Sequence, residues 1–182
     1  WTDKKLFETA LKKDRNTLNF FKKIGIGNLA GVKTVLNITP ILELAKRKII
    51  IISDNDQVAK EKQKEFINNR GYGIWKRYDE LFKQREIVTV EDFIKRDTLK
   101  KILSEILKKE YNIELTADFQ IPKSGRLMYI KTGLRKKGLD DNSIKDFIKR
   151  FKEKLFENLK IKDVENDYFD FIKTLKEEIK KL

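Results

Sequence analysis

The stretch Lys48 to Ala59, KIIIISDNDQVA, decides how the rest of this chain is interpreted. Its four consecutive isoleucines are too few to span a membrane, and such a run does not form one face of an amphipathic helix. It is typical of a strand that is buried on both faces of a parallel sheet. The sequence therefore predicts an α/β fold with this strand near the centre of the sheet.

Two carboxylates, Asp54 and Asp56, follow the predicted strand directly, where a helix (DQVAKEKQKEFINN) begins. Ligands of parallel sheets bind at the carboxyl ends of the strands. The two-residue alternation points both side chains to the same side of an extended chain. Such hard oxygen ligands suit Mg²⁺ or Mn²⁺. The alternative is that the aspartates only cap the helix and interact with its dipole.

The composition excludes several kinds of chemistry. The chain has 182 residues, of which 40% are hydrophobic and 39% charged, with no cysteine and no histidine. It is long enough for one α/β domain with an appended piece, or for two small domains. Disulfides, thiolate metal sites and catalytic triads that use histidine are excluded. The absence of cysteine also suits a reducing compartment, so we expect a cytoplasmic protein.

The charge points to a polyanionic partner. The formal net charge is +13 and the isoelectric point is about 9.7, which favours nucleic acid or an anionic membrane surface. No apolar run of about twenty residues is present, so we expect no membrane span. The first residue is Trp1 rather than methionine, so we expect a fragment or a processed chain.

Helix and strand patterns alternate through roughly the first 95 residues, as in a parallel α/β sheet. Before the central strand we predict a helix (TDKKLFETALKKD), a short strand (TLNFFKKIGI) and a second helix (GNLAGVKTVLNITPILELAKR) that Pro40 kinks or divides. After it we predict the helix described above and a strand, GIWKRY. Residues 1–98 are thus the predicted α/β core.

Residues 99–182 are predicted to form a helical insertion and a C-terminal helical extension. A helix from Thr98 to Lys109 opens this part, ELTADFQIP is extended, and lysine-rich helices follow from Leu127 onward. Phe147, Phe151 and Phe156 recur at spacings that indicate a buried stripe. A homodimer interface would explain these phenylalanines as well as a core does.

A second acidic pair, Glu91 and Asp92, lies inside the apolar stretch IVTVEDFI. Neighbouring carboxylates in such a stretch are costly unless a metal, a cation or solvent meets them. The alternative is the first turn of a helix, where acidic charge is favourable.

The order of these acidic segments resembles the Toprim domain, in the form found in nucleases of the OLD family. Toprim domains begin with a strand that ends Glu-Gly-x-x-Asp. Trp1-Thr2-Asp3 is similar to the end of that motif, which would place the glutamate before Trp1. IGIGNLAGVKTVLN, IIIISDNDQVAK and TVEDFI resemble the glycine turn with its helix, the Asp-x-Asp strand and the later acidic motif. The resemblance covers about residues 1 to 95.

The resemblance implies a set of site residues. It assigns metal binding to five carboxylates: Asp3, Asp54, Asp56, Glu91 and Asp92. OLD-type members also place a lysine near the reactive phosphate, for which our candidate is Lys123, with Lys131 or Arg126 as substitutes.

The resemblance implies a phosphodiesterase that uses Mg²⁺ or Mn²⁺ to cut nucleic acid, with DNA as the expected form. Two ions about 4 Å apart would stabilise the attacking and leaving oxygens. OLD-type relatives work with an ATPase domain in antiviral defence. This chain has no GxxxxGK[ST] loop, so the ATPase would be an upstream domain or a partner protein.

Two other functions stay open at this stage. A haloacid dehalogenase-like phosphatase would use Asp54 as a covalent nucleophile, although about 45 residues with strand and helix character precede the motif. A Toprim-like module without catalysis would bind nucleic acid or a partner protein.

Overall fold

The computed structural model describes residues 2–29, 31–83, 86–116 and 119–182. Within these ranges the chain is mostly helical, with one pair of strands. The α-helices are α1 (Thr2–Leu11), α2 (Arg15–Lys22), α3 (Val35–Leu44), α4 (Gln57–Asn68), α5 (Tyr78–Leu81), α6 (Arg96–Tyr111), α7 (Arg126–Lys136), α8 (Asp141–Glu157) and α9 (Asn166–Lys180). The short 3₁₀ turns are Val32–Thr34, Val90–Phe93 and Ile161–Asp163.

The isoleucine run forms strand β1 (Ile50–Ser53), which pairs in parallel with β2 (Ile74–Arg77). Helix α4 connects the two strands, so the predicted parallel strand–helix–strand unit is confirmed. Within the described residues, however, β2 is the single neighbour of β1. Ile50 and Ile52 are only half-buried. The prediction of a central strand buried on both faces was therefore wrong for this part of the chain. With one neighbour, β1 is an edge strand, and the face that carries Ile50 and Ile52 is only partly covered.

Side chains join α4 to both strands. The buried amide of Gln63 donates to the Trp75 carbonyl oxygen at 2.9 Å, and the Trp75 indole donates to Ser53 Oγ at 2.9 Å. Phe66 packs edge-on against the Trp75 ring. These contacts fix the carboxyl end of β1 relative to the start of α4, where Asp54 and Asp56 lie.

The segment TLNFFKKIGI was predicted as a strand, and this was wrong. Most of it forms α2, because the Asp14 carboxylate accepts the backbone N–H groups of Asn16 and Thr17 and so caps the helix start. Phe21 is buried on this helix, with its ring 4.9 Å from that of Phe7 on α1. The two phenylalanines of the segment, Phe20 and Phe21, thus lie on a helix and not on a strand.

The predicted helix around Pro40 is shorter than expected. Gly31 has a φ of 116°, in a region that favours glycine, and the 3₁₀ turn Val32–Thr34 follows before α3 begins. Pro40 is exposed and lies inside α3 without dividing it. Ala30 lies outside the described residues.

The lysine-rich segments after Leu127 form α7, α8 and α9, as predicted. Phe147, Phe151 and Phe156 are fully buried, so the predicted stripe belongs to the core. The main core also contains Leu6 of α1 and Leu99 of α6. It therefore draws on both the first 98 residues and the remainder. In ELTADFQIP the described residues form no regular strand, and Ala117 and Asp118 lie outside the described ranges.

The chain is thus a mixed α/β protein with a small parallel sheet among many helices. Among the described residues, none of the helices combines the length and apolar character that crossing a membrane requires.

Candidate acidic site

Three carboxylates and one lysine converge at the carboxyl end of β1. They are Asp3 in the first turn of α1, Asp54 just after β1, Glu91 in the 3₁₀ turn Val90–Phe93, and Lys152 on α8. The Lys152 ammonium lies 2.7 Å from Glu91 Oε1. The charges of Asp3, Glu91 and Lys152 all act on Asp54. We call these four residues the acidic site.

Asp54 is held where the loop before Glu91 packs onto the strand end. Its Oδ1 accepts the backbone N–H of Val90 at 3.2 Å. The next residue, Asn55, donates its own N–H to the Val88 carbonyl oxygen at 2.8 Å. These two bonds place the turn that carries Glu91 against the end of β1.

Asp3 is positioned by a buried tyrosine. The Tyr78 hydroxyl donates to Asp3 Oδ1 at 2.6 Å. The Tyr78 ring packs edge-on against the rings of Phe93 and Phe171. Burial, followed by the charge of Asp3, raises the pKa of Tyr78 well above its usual value. Tyr78 therefore acts as a hydrogen-bond donor to Asp3 at neutral pH.

Glu91 is the most enclosed member of the site. Its side chain is 0% exposed, whereas that of Lys152 is 28% exposed. Apart from the ion pair with Lys152, neither Glu91 oxygen meets an aligned hydrogen-bond donor among the described residues. Buried carboxylate oxygens without donors are uncommon in proteins and need an explanation, such as a bound ion.

The site concentrates negative charge. Burial, followed by the charges of Asp3 and Glu91, raises the pKa of Asp54 well above its ordinary value. Burial lowers the pKa of Lys152, but Glu91, Asp54 and Asp3 more than offset this and raise the pKa overall. One ammonium thus serves three carboxylates, which leaves the site short of positive charge.

Asp92 was predicted as a metal ligand, but its carboxylate is used to organise the backbone. Its Oδ1 accepts the N–H of Arg126 at 2.9 Å. Its Oδ2 accepts the N–H groups of Val88 at 2.8 Å and Gly125 at 3.1 Å. Gly125 has a φ of 65°, in the left-handed region that favours glycine. Asp92 therefore joins the turn of Glu91 to the start of α7.

Replacing Asp92 by asparagine is expected to destabilise the fold by about 1.5–3 kcal/mol, because an amide group then faces backbone donors inside the protein. For a chain of this size, that lowers the melting temperature by roughly 5 °C. Thermal unfolding followed by circular dichroism measures the change. The same substitution at the exposed Asp97, in the first turn of α6, is the control and should cost less than about 1 kcal/mol. An unchanged melting temperature for the Asp92 variant would contradict the role assigned here.

Asp56 caps a helix, as the alternative interpretation of the motif predicted. It is exposed, and its Oδ1 accepts the N–H of Ala59 at 2.8 Å, which caps α4. Its charge is the smallest of the influences that raise the pKa of Asp54. Of the two aspartates in the motif, Asp54 faces the acidic site and Asp56 caps the helix.

The lysine at the site is Lys152, which the sequence did not single out. Lys123 lies exposed in the turn before α7, and Lys131 lies on α7. The Arg126 guanidinium is buried, where it pairs with Glu165 at 3.0 Å and donates to two backbone carbonyl oxygens. It is therefore a structural group.

A signal for Lys152 does exist in the sequence. It lies four residues after Ile148 and three before Leu155, so it borders the buried face of α8. A lysine in that place keeps its stem on the core while its ammonium reaches a polar neighbour. Nothing local, however, indicates that this neighbour is Glu91.

The donor set suits a hard divalent cation. Among the described residues, no group of three or more acidic side chains is arranged so that it could hold a metal ion as it stands. The ligands on offer are carboxylate oxygens alone, however, and those of Glu91 are buried with Lys152 as their one polar partner among the described residues. Carboxylates of this kind are the ligands that Mg²⁺ and Mn²⁺ prefer. Asp3, Asp54 and Glu91 therefore fit such an ion in chemical type and charge.

Comparisons with protein-family models, with curated proteins and with solved structures found no significant match to this chain.

Proposed function

We propose that this protein is a metal-dependent nuclease that hydrolyses phosphodiester bonds in nucleic acid, with DNA as the expected substrate. One observation carries the proposal. Carboxylates from three separate segments meet Lys152 at the carboxyl end of a parallel strand, and the buried oxygens of Glu91 have no polar partner besides Lys152 among the described residues.

Asp3, Asp54 and Glu91 would hold the Mg²⁺ or Mn²⁺. A divalent cation bound there supplies Lewis-acid stabilisation of the negative charge that builds on the phosphate during hydrolysis. Tyr78 keeps the Asp3 carboxylate in place through its hydrogen bond. The hydrogen bond from the Val90 N–H does the same for Asp54.

We assign to Lys152 the role near the reactive phosphate for which the sequence analysis suggested Lys123. Its pKa is raised by the surrounding carboxylates, so it keeps its proton at neutral pH. A proton donor works best when its pKa lies near the working pH. We therefore assign to Lys152 the neutralisation of charge on the phosphate rather than protonation of the leaving oxygen.

We further propose that the fold is of the Toprim type. The parallel β1–α4–β2 unit with Asp54 at its carboxyl end supports this, as does the helix that carries Asp3. An ATPase domain or partner, and a place in antiviral defence, are predictions from that resemblance.

The phosphatase alternative is weaker. Such phosphatases usually begin with the Asp-x-Asp motif, whereas three helices, α1 to α3, precede Asp54 in this chain.

Plasmid nicking tests the proposed function. We expect the purified protein to convert supercoiled plasmid to the open circle with Mn²⁺ or Mg²⁺ and not with EDTA. Asp3→Asn should reduce the rate by at least about 100-fold, because a neutral amide holds a cation less well. Asp170→Asn, on the exposed side of α9, is the matched control and should cut at the normal rate. Cleavage that ignores the metal, or survives in Asp3→Asn, would show that the proposal is wrong.

A further inference from the structure

Helix α8 carries a line of three lysines that ends at the acidic site. Lys145, Lys149 and Lys152 are spaced i, i+4 and i+7, which puts them on one side of the helix. At 1.5 Å per residue, the line is about 10 Å long. Lys145 and Lys149 are exposed, and Lys152 reaches Glu91. We call these three residues the lysine line.

The outer two lysines differ from the other basic residues of α8. Arg150 pairs with Glu110 at 2.6 Å and Lys154 pairs with Glu105 at 2.8 Å, so both are directed to α6. Lys145 and Lys149, in contrast, form no ion pair with any residue in the described ranges. Their charges are therefore available to a ligand.

The acidic side chains near the lysine line offset its charge only in part. Asp141, one turn before Lys145, pairs with Arg135 of α7 at 2.9 Å. Asp146 lies three residues before Lys149 and Glu153 lies four residues after it, so both border the line, and neither forms an ion pair with a described residue. Three lysines stand against these two carboxylates, so the lysine line keeps a net positive charge next to the negative acidic site.

We propose that the lysine line binds the phosphate backbone of a nucleic acid strand and leads it into the acidic site; this rests on the proposed nuclease function. A length of about 10 Å equals about three nucleotide steps of a duplex, at about 3.4 Å per step along the helix axis. Lysines contact phosphates as point charges and carry no information about bases. The surface therefore binds without sequence preference, and its last member, Lys152, meets the phosphate at the site.

The test measures binding separately from cleavage. A fluorescein-labelled DNA duplex of twenty base pairs is titrated in EDTA, with anisotropy recorded over a series of salt concentrations. We expect Lys145→Gln/Lys149→Gln to weaken binding at least about tenfold at 0.1 M salt and to lower the slope of log affinity against log salt by about 2.

Helix α4 supplies a matched control. Lys60 and Lys64 are also exposed, are also spaced i and i+4, and form no ion pair with the described residues. Lys60→Gln/Lys64→Gln changes the net charge by the same amount. We expect this variant to bind with the affinity and salt slope of the unaltered protein.

Each outcome decides the inference. Equal losses in the two double variants would mean that net charge alone drives binding, and would overturn it. An unchanged slope in Lys145→Gln/Lys149→Gln, or no binding by the unaltered protein, would also overturn the inference about the lysine line. In either case, metal-dependent nicking would still support the proposed nuclease function. If the slope falls as expected but no nicking occurs with Mn²⁺, the lysine line stands as a binding surface and the nuclease proposal fails.

Discussion

Asp54→Asn is expected to abolish cleavage, with a rate at least about 1000-fold lower, while making the metal-free protein more stable. The loss of activity follows because the amide removes one of the negative charges that would hold the cation. A 1000-fold loss corresponds to about 4 kcal/mol in the activation free energy. The gain in stability follows because burial and the charges of Asp3 and Glu91 disfavour ionised Asp54.

The stability effect has a defined dependence on pH. The pKa of Asp54 in the folded state is raised well above the ordinary value of 3.8, so the folded protein holds this proton more tightly than the unfolded chain. The resulting stability is fully present below pH 3.8 and is lost as the pH rises through the raised pKa. Asparagine is neutral at all pH values, as protonated Asp54 is, so the variant does not lose this stability as the pH rises.

Melting temperatures in EDTA between pH 4 and pH 8 measure this difference. The gap between Asp54→Asn and the unaltered protein should widen as the pH rises, with about 2–4 °C for each 1 kcal/mol. Asp56→Asn is the control, because asparagine caps a helix as well as aspartate does, and its melting temperature should not change. A destabilised Asp54→Asn protein would contradict the crowding of charge at the site. A variant that still cuts would contradict the role of Asp54 in metal binding.

Lys152→Met is expected to lower both stability and cleavage strongly. Glu91 is fully buried, and removal of its cation leaves an unpaired charge at a cost of about 3–5 kcal/mol. The melting temperature should fall on the order of 10 °C. Loss of one preorganised charge at the phosphate should reduce the cleavage rate by about 100-fold or more.

A metal ion should restore the stability of this variant. If the carboxylates bind Mn²⁺, the ion replaces the missing ammonium charge, and Mn²⁺ at 100 times its dissociation constant adds about 2.7 kcal/mol. Mn²⁺ should therefore raise the melting temperature of Lys152→Met more than that of the unaltered protein, in which Lys152 already meets Glu91. Differential scanning fluorimetry with and without EDTA measures the difference.

Two further variants make the Lys152 result specific. Glu91→Gln/Lys152→Met removes both charges, so it should regain most of the lost stability and respond less to Mn²⁺. Lys154→Met lies on the same helix and breaks an exposed ion pair with Glu105, which should cost less than about 1 kcal/mol. Normal stability in Lys152→Met would show that Lys152 and Glu91 do not depend on each other.

Local patterns predicted part of this fold correctly. The β-branched run became β1, the GIWKRY segment became β2, and α4 lies between them as expected. The strand prediction for TLNFFKKIGI was wrong, because a pair of apolar residues fits a strand and a helix equally. The cap from Asp14 and the packing of Phe21 against Phe7 favoured the helix. Such contacts outweigh weak intrinsic preferences.

The sequence by itself determined the parallel strand–helix–strand unit and the placement of Asp54 at its carboxyl end. Strand and helix signals act over a few residues, and the end of a buried strand is readable from them. Only the tertiary structure decided that Lys152 meets Glu91 and that Asp92 organises the backbone instead of facing the site. Those partners lie far apart in the chain, and packing of the helices around one core brings them together.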